Sequence, residues 1–269
     1  MRRLDRGGVK IPPTWQVSAR KAFPDYDSFA AKAAAFEALG IDDPVRRAGF
    51  KSYAAEVLPR KGKKGVCDFK AIWGRLKRAL AVMSHQKCAY CEWSINAERS
   101  AAVEHFKPKS LFPLLVYDCG NYFLCCAGCN GAKSDKWPLG GGSYVRPDEG
   151  DPSSLFRFHE NGRMEAALPG GAAEETIRDL DLNRDWLCEQ RKRAITYSLN
   201  ELHTISRLGE LAVRLGKEAN QIQQLQAEMV RDASARLRDP NLAYSTALTQ
   251  CFERAWVEKF PDRPLREFF

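Results

Sequence analysis

The chain has 269 residues, 44% of them hydrophobic and 28% charged, with a formal net charge of +8 at pH 7. That length is enough for one large domain or two small ones with a proper core, and the composition is that of an ordinary globular protein. No apolar run approaches the ~20 residues that a membrane helix needs, which argues against a spanning segment. The charge suits a polyanionic partner but does not by itself decide on one.

The opening residues, MRRLDRGGVKIPPTW, are basic without a following apolar stretch, so they do not read as a secretory signal. Residues 1–24 read as an irregular arm in which Arg2, Arg3, Arg6 and Lys10 are either phosphate contacts or solvated charges. An alanine-rich pattern with Phe29 and Phe36 predicts a helix over residues 25–39, stopped by Gly40. Asp43-Pro44 predicts the start of a second helix that ends before Pro59. A basic, glycine-spaced run follows over residues 60–65, where Lys63 and Lys64 are candidate phosphate contacts or part of a solvated loop. Residues 68–83 predict a third helix, with Phe69, Ile72, Trp73, Leu76, Leu80 and Met83 at helical spacing.

Residues 84–138 carry the chemistry. They contain CAYC, then VEHFKPKS, then YDCGNYFLCCAGCNGAK. Two CxxC pairs, Cys88/Cys91 and Cys126/Cys129, suit a tetrahedral zinc site, because each tight turn supplies half of the ligand shell. The odd total of nine cysteines fits a metal site in a reducing cytoplasm better than a disulfide framework. Cys67, Cys119, Cys125, Cys188 and Cys251 then read as small buried residues. His85, beside the first pair, is a weaker alternative ligand. Between and beside the pairs lie Glu104, His105, Asn121 and Asn130, which a purely structural zinc ribbon does not need. Histidine is the natural base near neutral pH. A carboxylate and an amide oxygen suit a hard divalent ion, whereas thiolates suit zinc.

Beyond this module, residues 139–172 read as a turn-rich connector in which LFRFHENGR forms a hairpin around Asn161-Gly162. His159 reads as a surface strand residue. From about residue 173 the pattern is helical to the end. It predicts two long helices or a single kinked one, with Gly209 and Gly216 as candidate breaks, and a last helix over residues 242–260.

The cadence Asn121, Cys126, Cys129, Asn130, with Lys133 after it and Glu104-His105 before it, resembles the HNH nuclease family. Asn130 stands where many members have histidine, and Glu104 where aspartate is common. The resemblance implies an α+β, mostly helical protein. In it a small zinc-stapled ββα-metal core (84–138) is flanked by an N-terminal arm and helices (1–83), the connector (139–172) and a C-terminal helical region (173–269). It further implies that His105 is the general base and that Glu104 and Asn130 hold magnesium or manganese. Asn121 would orient the base and brace the loop, and Lys133 and Lys107 would contact nucleic acid. Looser likeness in RPDEGDPSSLFRFHENGR and TIRDLDLNRDWL extends to bacterial defence-associated HNH proteins of the retron-linked and Septu type, which act beside an ATPase partner. The implied activity is metal-dependent cleavage of nucleic acid, DNA before RNA. A non-catalytic zinc-stapled nucleic-acid-binding module is the alternative. A thiol redox role is the weakest reading, because no βαβ pattern surrounds either CxxC pair.

Overall fold

The computed structural model describes residues 1, 3–8, 15, 26–55, 71–95, 100–216 and 219–262. The chain is α+β and mostly helical, and its described apolar segments share one buried cluster that runs from the N-terminal helices to the C-terminal ones. No described helix is long and apolar enough to cross a membrane. The basic run with Lys63 and Lys64, together with Arg2, Lys10 and Cys67, lies outside the described residues.

Helix α1 (Tyr26–Glu37) buries Phe29, Ala33 and Phe36 along one stripe, as the spacing predicts. The second predicted helix is split into α2 (Pro44–Arg47) and α3 (Phe50–Ala55). Asp43 caps α2 by accepting the Val45 N–H at 2.8 Å, with Pro44 in the first turn. The break falls at Gly49, whose φ of +90° leaves the helical region. The third predicted helix is shorter than the periodicity suggests: a 3-10 turn, Trp73–Leu76, leads into α4 (Lys77–Met83).

Next come strand β1 (Ala101–His105), strand β2 (Tyr122–Cys126) and, without a linker, helix α5 (Ala127–Lys133). The strands are antiparallel, with Glu104 opposite Phe123 and His105 opposite Tyr122. β2 is buried at every position, so its YFLCC run reads as continuous rather than alternating.

A second hairpin pairs β3 (Phe156–Phe158) with β4 (Met164–Ala166) around the predicted Asn-Gly turn. Gly162 has φ +81°, and a Cβ placed on it would lie 1.9 Å from the Cys188 carbonyl oxygen. Gly162→Ala therefore combines a disfavoured backbone with a backbone clash. It is expected to cost about 2–4 kcal/mol, measured as a lowered denaturation midpoint.

Helix α6 (Ala172–Asp179) leads to α7 (Asp185–Leu215), the longest helix described, which packs against α8 (Asn220–Arg238) and α9 (Ser245–Lys259). Gly216, at φ +54°, is the break between α7 and α8. Gly209 is not a break: it lies inside α7, where Gln226 packs against it and donates to the Ile205 carbonyl at 3.0 Å. The start of α9 is anchored at the first CxxC turn. Buried Glu92 accepts from Ser245 Oγ and the Thr246 N–H, each at 3.0 Å, while Lys87 Nζ reaches the Leu242 carbonyl at 3.1 Å. Burial alone would raise the Glu92 carboxyl, but the Met1 ammonium, Lys87 and the Thr246 donors outweigh it and hold the group at about 2.

Candidate functional site

Two reverse turns build the cysteine cluster. In the first, the Cys88 N–H meets the Trp93 carbonyl at 2.9 Å and the Glu92 N–H meets the Cys88 carbonyl at 3.0 Å, with Glu92 at φ +59°. In the second, Cys126 caps α5, its sulfur accepting the Cys129 N–H at 3.4 Å. The ligand atoms of Cys88, Cys91, Cys126 and Cys129 all lie within 4.8 Å of one another, and all four residues are buried. A tetrahedron with Zn–S bonds of ~2.3 Å has sulfurs ~3.8 Å apart. The Cys91 and Cys126 sulfurs are 3.8 Å apart. The donor set therefore fits zinc or a similar soft ion. His85 does not belong to the cluster. Cys125 is buried, as expected, but it is not merely an apolar filler: its sulfur lies 3.8 Å from that of Cys88.

The acid–histidine step ends β1, and both residues are buried. His105 Nε2 lies 3.1 Å from the Val116 carbonyl oxygen. A carbonyl only accepts, so Nε2 carries the proton and Nδ1 keeps the lone pair. Burial drives the His105 pKa down to about 4, with the charges of Lys109 and Lys133 adding to the effect and the Val116 bond opposing it. The imidazole is neutral at pH 7. Its ring is held edge-on by Trp73 at 4.8 Å and Tyr122 at 5.0 Å between centroids.

Asn121 supports that geometry from one step away. Its Oδ1 accepts the Lys107 N–H at 2.8 Å, and its Nδ2 donates to the carbonyls of Lys107 at 3.0 Å and Leu115 at 3.4 Å. These bonds tie the end of the loop between β1 and β2 back to its start and to Leu115, next to Val116, whose carbonyl also accepts from Tyr122 Oη at 2.5 Å. Asn121 thus fixes the loop, and the loop fixes the histidine tautomer.

Glu104 and Lys133 differ from the simple expectation. The Lys133 ammonium is fully buried, 2.5 Å from Glu104 Oε1, and donates to the His105 carbonyl at 3.0 Å. It is a structural partner of the acid–histidine step and not a surface contact for phosphate. Burial pushes the Glu104 carboxyl up and Lys133 opposes the shift. The ammonium approaches Oε1 outside hydrogen-bond geometry, so this buried oxygen has charge compensation without an aligned donor. Asn130 lies half-buried on α5, the helix that packs on β1. Removing the ammonium would leave a buried charge unpaired. Lys133→Met is expected to cost about 3–5 kcal/mol, and Lys133→Met with Glu104→Gln is expected to recover most of the loss in chemical denaturation.

Lys107 is half-buried, its ammonium 5.3 Å from the Phe112 ring, and Lys109 lies 5.1 Å from the Trp73 ring. Arg6 is also committed: it pairs with Asp148, donates to the carbonyls of Cys119 at 3.1 Å and Tyr122 at 2.9 Å, and covers the Phe123 ring. It holds the start of β2 and is not free for phosphate. Trp73 and Val116 escaped the sequence reading as site residues. A tryptophan on an apolar stripe gives no local sign of touching a histidine 32 positions later, and a carbonyl gives none at all.

The Glu104-His105 pair, the braced loop and the four-cysteine cluster form one unit of about forty residues. The chain is similar to Septu protein PtuB. It is 28% identical over 188 residues to Septu protein PtuB of Bacillus thuringiensis, covering 66% of this chain and 69% of that protein. To Septu protein PtuB of Bacillus mycoides (strain KBAB4) it is 26% identical over 215 residues, covering 65% and 72%. No family model matches the chain, and no solved structure matches it significantly.

Proposed function

We propose that this protein is a metal-dependent endonuclease of the HNH type that hydrolyses nucleic-acid phosphodiester bonds, DNA before RNA. We place it as the nuclease effector of a bacterial anti-phage defence system of the Septu type, acting with an ATPase partner. The observation that carries the enzymatic part is the neutral His105 ring, with Nε2 on the Val116 carbonyl and Nδ1 left as the acceptor, at the end of β1 and next in sequence to the buried Glu104. Similarity to Septu protein PtuB supports the defence role, and the ATPase partner is what the resemblance to Septu-type proteins implies.

In this reading His105 Nδ1 takes the proton from the attacking water, and Asn121 keeps the ring in register through the loop. Glu104 and Asn130 would hold magnesium or manganese, which would supply charge stabilisation at the scissile phosphate and the leaving oxygen. Lys107, Lys63 and Lys64 are the proposed contacts to the nucleic-acid backbone, whose binding weakens with salt by counterion release. Zinc on the four cysteines staples β2 and α5 to the first turn and takes no part in the chemistry.

A second reading has one observation in its favour. Lys133 already neutralises Glu104, as it would in a zinc-stapled binding module that does not cleave. Plasmid, single-stranded DNA and total RNA are the test substrates, with magnesium or manganese, for wild-type protein alone and with its co-purified ATPase. Cutting that needs the divalent ion supports the nuclease. Binding without cutting under every condition supports the module.

A further inference from the structure

The segment TIRDLDLNRDWL, which joins α6 to α7, has no role in the proposed chemistry, yet it is among the most firmly seated parts of the chain. Leu180 and Leu182 are completely buried. Asn183 clamps β4 from both sides, accepting the Met164 N–H and donating to the Met164 carbonyl, each at 2.8 Å. These contacts aim the next side chain, Arg184, at the cysteine cluster. Its Nη1 and Nη2 each lie 3.6 Å from the Cys129 sulfur, and Nη2 also lies 3.8 Å from that of Cys126. Nη1 additionally donates to the Asp181 carbonyl at 2.9 Å, which fixes the plane of the fork.

Charge explains why a cation belongs there. Four thiolates around a divalent ion leave a net double negative charge, and in a buried site that charge is costly unless donors and cations face it. A guanidinium is suited to this, since it stays charged and presents parallel N–H groups to two acceptors at once. The second CxxC turn is shaped to admit it. A Cβ on Gly128, between the two cysteines, would lie 3.0 Å from Arg184 Nη2 and 3.2 Å from Cζ. The same arginine is the residue preceding α7, and the Trp186 ring in the first turn of that helix meets Trp93, beside the first CxxC turn, at 4.8 Å between centroids.

We propose that Arg184 is the outer-sphere partner of the zinc thiolates, a positioning residue that makes metal occupancy of the cysteine cluster and docking of the C-terminal helical arm one coupled equilibrium. The ion holds the arm through Arg184, and the arm slows release of the ion. The proposal rests on the zinc reading of the four cysteines and is independent of whether the protein cleaves nucleic acid.

The test uses the full chain and three variants: Arg184→Gln, Arg184→Lys and Gly128→Ala. Zinc release to a chromophoric chelator is followed in each, together with the thiolate-to-metal absorption of the cobalt-substituted protein. Hydrogen exchange over the first turns of α7 is measured with and without zinc. Arg184→Gln is expected to release zinc about 10–100-fold faster, the range typical of a lost outer-shell partner, and to shift the cobalt band. Arg184→Lys is expected to fall between, because a point charge cannot serve two sulfurs equally well. Gly128→Ala, which keeps the arginine but crowds it, is expected to move in the same direction even where Arg184→Gln proves insoluble. In the wild type, removing zinc is expected to raise exchange at the start of α7. Wild-type release rates and cobalt spectra in both Arg184→Gln and Gly128→Ala would overturn the proposal, as would α7 exchange that ignores zinc. A wild-type protein that binds no zinc would overturn the zinc reading itself and is told apart by metal analysis alone.

Discussion

Replacing His105 with alanine is expected to lower metal-dependent cleavage by about 10²–10⁴-fold while leaving zinc content and fold intact. The size follows from its role as base: alanine offers no acceptor, and water alone must lose its proton to solvent. The specificity follows from position. The ring is packed by Trp73 and Tyr122, but it lies at the end of β1, outside the cysteine cluster. Single-turnover cleavage with wild-type and variant protein at equal zinc content is the measurement. Full activity in His105→Ala would remove the base assignment. A parallel loss in Asn121→Ala, with nucleic-acid binding retained, would support the chain of contacts from Asn121 through the loop to Val116 and the ring. Retained activity in Asn121→Ala would show that the loop holds its shape without that brace.

Removing one zinc ligand is expected to have the largest effect on stability. Structural zinc in small peptides is bound by about 10–16 kcal/mol at neutral pH, comparable with or larger than the ~5–15 kcal/mol that separates a typical domain from its unfolded state. Cys126→Ser is the most informative variant, because this residue ends β2, caps α5 and belongs to the cluster at once. Loss of zinc by mass spectrometry, together with a collapse of soluble yield or of the cooperative thermal transition, is the expected outcome. Chelation of the wild type is expected to reproduce it, and restored zinc to reverse it. Cys251→Ser is the control: Cys251 is buried on α9 and absent from the cluster, so its replacement is expected to leave zinc content unchanged. An unchanged melting profile in zinc-free Cys126→Ser would refute the structural role of the ion.

Much of the architecture is legible in the sequence. The stripe of α1, the Asn161-Gly162 hairpin, the break at Gly216 and the shape of each CxxC turn all depend on neighbours within a few residues, whereas bringing the two CxxC turns together depends on the fold. The misjudged elements were those in which a local pattern competed with distant packing. Periodicity extended the helix before residue 83 too far, whereas the structure places a 3-10 turn at Trp73–Leu76, where Trp73 meets His105. Gly209, a candidate break by its residue type, is instead the close-approach point between α7 and α8.

For the candidate site, the available chemical groups and their order can be read from the residues alone: four thiols in two tight turns, an acid–histidine step and two asparagines. Short-range geometry is enough for that, since a CxxC turn presents both sulfurs to one side wherever it occurs. What each charged group does depends instead on how the chain packs. Lys133, expected at phosphate, is buried against Glu104. Arg6, in a basic arm, holds β2, and Arg184, between α6 and α7, faces the Cys129 sulfur. The physical reason is that a charge buried by folding must find its partner within the same interior, and which partner lies within reach is set by the packing of segments far apart in sequence.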